Sequence, residues 1–359
     1  MTQGSLHERR RIAAWERVAV GAPDASALLV TDLANIRYLT GFSGSNAVVL
    51  LREDGLLLGT DGRYVTQAAA ECPGVPLLID RDTLPAVARA HAGGSVGVEA
   101  EHLSVAQWRT LESILGTVRE TSGVVESCRV VKDADELGLV AEACRISDLA
   151  LALLLPTIVA GETERAIARR LERFMLEAGA DALSFDTIVA GGPHTAIPHH
   201  QPTERPVDHG EFLLIDFGAE VGGYHADETR TFVIGEPADW QVELHALVLE
   251  AQQAGRDATM AGVDLRTVDR AARSVIADAG YGEEFGHGLG HGVGLQIHEA
   301  PFMSARATGT LLAGSTVTIE PGVYLPERGG VRIEDTVLVA EGPCSPLTGT
   351  ERGLVALGR

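Results

Sequence analysis

The stretch Gly210-Glu211-Phe212-Leu213-Leu214-Ile215-Asp216 decides how this chain is read, because Gly314-Ser315-Thr316-Val317-Thr318-Ile319-Glu320 repeats its plan. In both, a glycine opens a strand-like apolar run and a carboxylate follows six residues after that glycine. Working outward, each run is preceded at some distance by a helical pattern with matching punctuation. Gly161 opens GETERAIARRLERFMLEAGA and Gly262 opens GVDLRTVDRAARSVIADAGY, each with a second glycine 18 positions later, Gly179 and Gly280. Ile167 and Leu171 mark the apolar face of the first helix, and Val268, Ala272 and Val275 that of the second. Each run is followed by a further acid-bearing segment, ADETRTF or RIEDTVLV. Two related units packed face to face, with a pseudo-two-fold between them, would complete one core and bring both pairs of acids to one cleft.

Asp216 closes LLID, where a strand end leaves the carboxylate free; alone it equally fits a loop acid at a helix cap. Asp227 follows after 11 residues, and Gly222-Gly223 between them allow a tight return. Glu320 precedes the turn pair Pro321-Gly322. Glu334 shares a strand face with Arg332 and Thr336 if residues 331–336 run as one strand, and a solvent-facing pair is the alternative. His291 lies in HGLGHGVGLQIH, flanked by His287 and His298. The glycines there argue against a helix, and HGLGH has no glutamate where HExxH requires one.

Four acids and an imidazole suit two divalent ions, which offset the crowded negative charge and activate water for hydrolysis. Nitrogen in the set favours Mn, Co, Zn or Fe over a magnesium-only site. His199, in IPHHQPTERP, can enter the cleft from a loop, whereas His200 reads as its solvent-facing neighbour. His194 and His225 carry no individual claim. Tyr324 could present its hydroxyl or simply pack.

The first part of the chain mixes strand runs, at residues 27–31, 47–51, 56–59 and 96–99, with helical runs at 84–90 and 102–117. This reads as an α/β domain over residues 1–130, with a catalytic domain over 131–359. Leu137, Val140, Ala141 and Cys144 recur at helical spacing just past the boundary. There are 29 basic and 50 acidic residues, so a formal charge of -21 disfavours nucleic acid and anionic membranes as partners. Four cysteines without a CxxC pair read as reduced thiols. The polar start, MTQGSLHERR, carries no apolar signal segment, and the apolar run at 149–160 is too short to span a bilayer. A cytoplasmic location is the expectation.

The segments LLIDFG, ADETRTF, HGLGHGVGLQIHE, TIEPGVY and GVRIEDT, with NIRYLTGFSGSNA and TDGRY nearer the start, resemble the proline-specific branch of the pita-bread metallopeptidases. That branch holds Xaa-Pro dipeptidase (prolidase) and Xaa-Pro aminopeptidase. The resemblance implies a creatinase-like α/β domain followed by a pseudo-two-fold pita-bread α+β catalytic domain. It implies that Asp216 holds one metal, that His291 and Glu320 hold the other, and that Asp227 and Glu334 bridge them. Mn or Co is the implied pair, with Zn or Fe also compatible. Glu320 would be general base, His199 and His298 would position substrate or stabilise the oxyanion, and His287, Tyr324 and Arg332 would line and support the cleft. The implied substrates are proline-containing dipeptides or short peptides, and the implied assembly is a homodimer.

Within this branch a dipeptidase needs a positive group for the free carboxylate, for which Arg37 and Arg63 are candidates. An aminopeptidase needs an open path past the proline. Creatinase shares the fold without the ligand set, and methionine aminopeptidases share the metals without the full N-terminal domain. A non-catalytic peptide-binding protein of the same fold is the non-enzyme alternative. Glu228, beside Asp227, departs from the apolar residue frequent in the family at that position.

Overall fold

The computed structural model describes residues 6–358 and divides into two compact units after Arg129. The first unit is built on a six-stranded sheet. Its spatial order is Leu77–Ile79, Gly55–Thr60, Ala47–Arg52, Ala25–Val30, Ser95–Glu99 and Val118–Thr121. Ala25–Val30 runs antiparallel to Ala47–Arg52 and parallel to Ser95–Glu99, so both hairpin and crossover connections feed one mixed sheet. Ala27, Leu29, Val48, Leu50, Val96 and Val98 form one side of its core, against Val87 and Leu111 of the helices Thr83–Arg89 and Val105–Leu115.

The helix expected over 102–117 is shorter at both ends. Ser104 and Gln107 make a reciprocal capping box that starts it at Val105, and Gly116, at φ +74°, ends it after Leu115. Arg63 is engaged by Asp61, at 2.9 Å from Nε and 2.8 Å from Nη2.

The second unit realises the internal repeat. The helices Glu164–Glu177 and Leu265–Asp278 each have 14 residues, and Thr163 and Asp264 cap them by accepting from Ala166 N and Arg266 N. Gly161 and Gly262 sit at φ +85° and +82°, and Gly179 and Gly280 at +107° and +90°. The glycines that open the two apolar runs, Gly210 and Gly314, sit at +82° and +88°. These left-handed values recur in matching order, so each glycine marks an equivalent turn in the two halves.

Phe212–Phe217 pairs antiparallel with Glu228–Ile234 and with Ile188–Gly191. In the other half Thr316–Ile319 pairs antiparallel with Asp335–Leu338. Each half closes its own core by the same rule. Ile167 and Leu171 pack with Leu213 and Ile215. Val268 and Ala272 pack with Val317 and Ile319, and Val275 adds to the edge of that cluster.

Two local expectations change. Residues 331–336 do not form one strand: Gly329–Arg332 pairs with Gly322–Leu325, whereas Asp335–Leu338 joins a different sheet, and the chain turns between them at Ile333-Glu334. In the helix Ala134–Leu154 the buried stripe is Val140, Ala143, Cys144, Ser147 and Leu151, with Ala141 on the outer face. The four cysteines are free thiols. Among the described residues, no helix is long and apolar enough to cross a membrane.

Candidate metal centre

Strand register assembles the acids. Asp216 lies opposite Thr229 in its antiparallel pair, which leaves Asp227 at the same end of the ladder. Ile319 lies opposite Asp335, so Glu320 and Glu334 leave their ladder side by side. His291 is delivered by the short strand Gly290–Gly292. A side chain at Gly290 would place its Cβ 2.0 Å from Thr318 O, and one at Gly292 would meet Ala300 O at 2.2 Å. Only glycine lets this strand press between its neighbours.

Asp216, Asp227, His291, Glu320 and Glu334 all line a single cavity of about 560 Å³, together with His199, His287, His298, Tyr324 and Arg332. Ten of the twelve sequence-derived candidates therefore come to one place. His194, His200 and His225 lie outside its lining.

The ligand atoms face one another at separations longer than hydrogen bonds. His291 Nε2 is 3.5 Å from Asp227 Oδ2 and 3.4 Å from Glu320 Oε1. Atoms of Asp227, His291 and Glu334 lie within 4.8 Å of one another. His291 Nδ1 donates to Gly292 O at 3.0 Å, which leaves the Nε2 lone pair toward the acids, the arrangement a metal-binding imidazole needs. Thr229 Oγ1 donates to Glu334 Oε2 at 2.6 Å, and Thr318 Oγ1 to Glu320 Oε1 at 3.1 Å.

The electrostatics are those of too many buried acids. Burial pushes the Asp227 carboxyl well above the ordinary carboxylate range, and the Asp216 and Glu320 charges push it further. Glu334 is raised well above that range in the same way, by burial and then by Asp227, Glu320 and Asp216. Burial also raises Glu320, with His287 and Arg332 partly offsetting it. Burial lowers His291, His287 and His298, favouring neutral imidazoles.

Among the described residues that line the cavity, Arg332 is the one arginine or lysine, and its Nη2 donates to Asp216 Oδ2 at 2.7 Å. The other oxygen, Asp216 Oδ1, is buried and has no hydrogen-bond partner. An orphaned carboxylate oxygen, three acids driven toward protonation and an imidazole lone pair aimed at them fit divalent cations.

A second line of hydrogen bonds backs the cavity. Arg332 Nη1 donates to Tyr324 OH at 2.9 Å, and Tyr324 OH lies 2.9 Å from His287 Nε2, whose Nδ1 donates to Gly288 O. Burial holds the Tyr324 phenol up to about 12, so it stays a donor to His287. Its hydroxyl is thus engaged in supporting the wall. Glu228 points elsewhere: its carboxylate, fully buried, pairs at 3.0 Å with Arg230, which also holds Asp335 at 2.8 Å.

The structure also reveals a group that the sequence reading missed. His200 is buried, at 8% exposure, and its Nε2 donates to Glu164 at 2.9 Å, while His194 Nδ1 donates to the same carboxylate at 2.7 Å. Glu164 is an ordinary helix-start acid in sequence, and no local pattern ties it to histidines 30 and 36 residues away.

Residues 138–341 match the profile of metallopeptidase family M24, and residues 17–131 match that of the creatinase/prolidase N-terminal domain. The fold is similar to that of an Xaa-Pro dipeptidase from Bacillus anthracis, at TM-score 0.92 and 35% identity over 98% of this chain and 100% of that one. It is similar to an X-Pro aminopeptidase from Thermotoga maritima, at TM-score 0.86 and 36% identity over 93% and 98% of the two chains. An Xaa-Pro dipeptidase from Pyrococcus horikoshii is 40% identical over 237 residues, 66% of this chain and 68% of that one.

Proposed function

This chain belongs to metallopeptidase family M24, with a creatinase/prolidase N-terminal domain, and we propose that it hydrolyses the Xaa-Pro peptide bond as a dinuclear-metal dipeptidase. The observation that carries the metal dependence is the convergence of Asp216, Asp227, His291, Glu320 and Glu334 on one cavity, four acids against the single guanidinium of Arg332 in its lining. Asp216 would hold one ion, His291 and Glu320 the other, with Asp227 and Glu334 shared, and the mixed nitrogen and oxygen set suits Mn or Co, with Zn or Fe also compatible. Bound there, such ions supply an electrophile for the substrate carbonyl and lower the pKa of water.

The side chains do the rest. Glu320, raised by its burial, is suited to accept the proton of the attacking water and to return it to the departing proline nitrogen. His199 and His298 are exposed at the cavity lining, where they orient the substrate and donate to the carbonyl oxygen as it becomes tetrahedral. His287, Tyr324 and Arg332 hold the wall in place through their hydrogen-bond chain. Phe185, Ile188, Ile297, Phe302 and Met303 give the same cavity an apolar side for the proline ring. The amide nitrogen of proline carries no hydrogen, so this side need offer no acceptor to it.

The similarity to Xaa-Pro dipeptidases of Bacillus anthracis and Pyrococcus horikoshii supports the dipeptide preference. A second reading, release of the N-terminal residue from longer Xaa-Pro peptides, draws support from the similarity to the Thermotoga maritima aminopeptidase. Turnover of Ala-Pro and Ala-Pro-Ala by the Mn- or Co-supplemented protein, with products identified, separates them. Cleavage of Ala-Pro far ahead of the tripeptide is the expected result, and equal turnover of both overturns the dipeptidase assignment. A homodimer in the cytoplasm is part of the same proposal, and light scattering of the purified chain tests the assembly.

A further inference from the structure

Glu164 is the first residue of the helix Glu164–Glu177 and is fully buried. Five donors reach its carboxylate. Gly191 N and His194 Nδ1 donate to Oε1 at 2.9 and 2.7 Å; His200 Nε2, Thr203 N and Thr203 Oγ1 donate to Oε2 at 2.9, 2.9 and 2.7 Å. Gly191 and Thr203 bracket a loop, and His194 and His200 lie inside it, so one carboxylate gathers four points of a single 13-residue segment. The two imidazoles lie with centroids 4.3 Å apart, side by side on that carboxylate.

Two further ties fix the loop to the cavity wall. Thr195 Oγ1 accepts from Gly330 N at 2.7 Å, and Pro198 O accepts from Arg332 Nη1 at 3.4 Å. His199 stands between Pro198 and His200, both of them anchored, and is the exposed histidine of this segment that lines the cavity. A side chain flanked on both sides by fixed neighbours has its backbone position and direction set for it.

We propose that Glu164, acting through His194 and His200, is the positioning residue that aims His199 at the substrate. This rests on the reading of the cavity as a peptidase site. The three-residue group is not a metal site of its own. Its separations are those of direct hydrogen bonds, and with five donors its carboxylate lone pairs are already taken.

The test uses the metal-loaded full chain with Ala-Pro as substrate. His200→Ala leaves the metal content unchanged and lowers kcat/KM by roughly 10- to 100-fold, the scale on which a misplaced catalytic group costs rate. His200→Gln, which restores an N–H donor, recovers most of it. The double variant His199→Ala/His200→Ala is no worse than His199→Ala, because the second residue acts through the first. His194→Ala, at a more exposed position, repeats the pattern if His200→Ala folds poorly. Full activity in His200→Ala, losses that multiply in the double variant, or an extra equivalent of bound metal lost with His200 each overturns the proposal. If the wild type cuts no peptide, the peptidase reading fails separately. The positioning is then read from the His199 imidazole resonance, which shifts and sharpens in His200→Ala if the proposal holds and stays in place if it does not.

Discussion

Glu164 and Glu334 are both carboxylates with almost no solvent exposure, at 0% and 2%, and both have histidine within reach, yet their environments pull them in opposite directions. Around Glu164, burial would raise the pKa, but hydrogen bonds from His200, Gly191 and Thr203 outweigh it and bring the carboxyl to about 2. Around Glu334, burial raises the pKa, and the neighbouring acids Asp227, Glu320 and Asp216 raise it further, with Arg332 offsetting only part. The spacing differs in step: 2.7 and 2.9 Å from imidazole to carboxylate in the first group, 3.4 and 3.5 Å in the second. One cluster is closed on itself by donors. The other is short of positive charge and spaced for something between its members. That contrast separates a structural tie from a site that takes cations.

The largest way to break the contrast is to remove a member of the second cluster. Glu334→Gln keeps the shape and removes a charge shared between both proposed ions. Loss of bound metal and a fall in kcat/KM of about a thousandfold or more are expected, since metal activation is worth several kcal/mol of barrier. Metal analysis beside an Ala-Pro assay measures both, and a variant that stays loaded and active refutes the assigned ligand set.

A smaller effect is expected one bond further out. Thr229 Oγ1 donates to Glu334 and accepts from Arg332 Nε at 3.0 Å, so it would orient a proposed ligand without touching the ions. Thr229→Val should cost about 10- to 100-fold in metal affinity or activity while the fold persists. Metal titration of the chelator-stripped variant gives the number, and an unchanged affinity would mean that Glu334 needs no such support.

The metal-free protein sharpens the comparison through pH. Carboxyls raised in the folded state bind more protons than they do unfolded, so stability falls as pH rises from the ordinary carboxylate range toward the raised values. The lowered histidines act with the opposite sign, but only below about 6.5, their unfolded value. Above about 6.5, where the histidines no longer contribute, the trend of the metal-free chain is therefore a Tm that falls with rising pH, to which Asp227, Glu334 and Glu320 contribute together with the buried Glu228. Added Mn should reduce the slope, leaving the part owed to Glu228, and Asp227→Asn should make it shallower. Glu164 contributes no slope there, because its stabilisation is complete above the ordinary carboxylate range and is lost only as pH falls toward about 2.

How much of this could be read from the sequence follows from the same contrast. Of the candidate metal-centre acids, Asp216 and Glu320 were legible because each closes an apolar run, and Asp227 because Gly222-Gly223 allow the chain to return beside Asp216. The repeat was legible through glycines, since a left-handed turn leaves few other choices of residue. His291 was legible because glycines crowd around it. The break at Ile333-Glu334 was not, because one alternating run fits one strand as well as two short strands in different sheets. Nor was the burial of His200. Its partner Glu164 lies 36 residues earlier, at a helix start where an acid is favoured for local reasons alone. A tie made by tertiary approach, between residues each with a sufficient local explanation, leaves no mark in spacing.

The smallest expected effect is none, and it is the sharpest test of the contrast. If the Glu164 group is closed by its five donors, titrating divalent metal into the stripped protein should leave the imidazole resonances of His194 and His200 where they were. The same titration should displace those of His291, whose Nε2 faces the acids, and of His298, whose ring lies 4.3 Å from that of His291. Both pairs of rings are equally close to each other, so proximity alone predicts equal responses. Only the difference between a carboxylate already saturated with hydrogen bonds and one left with an orphaned neighbour, Asp216 Oδ1, predicts that one pair responds and the other stays silent.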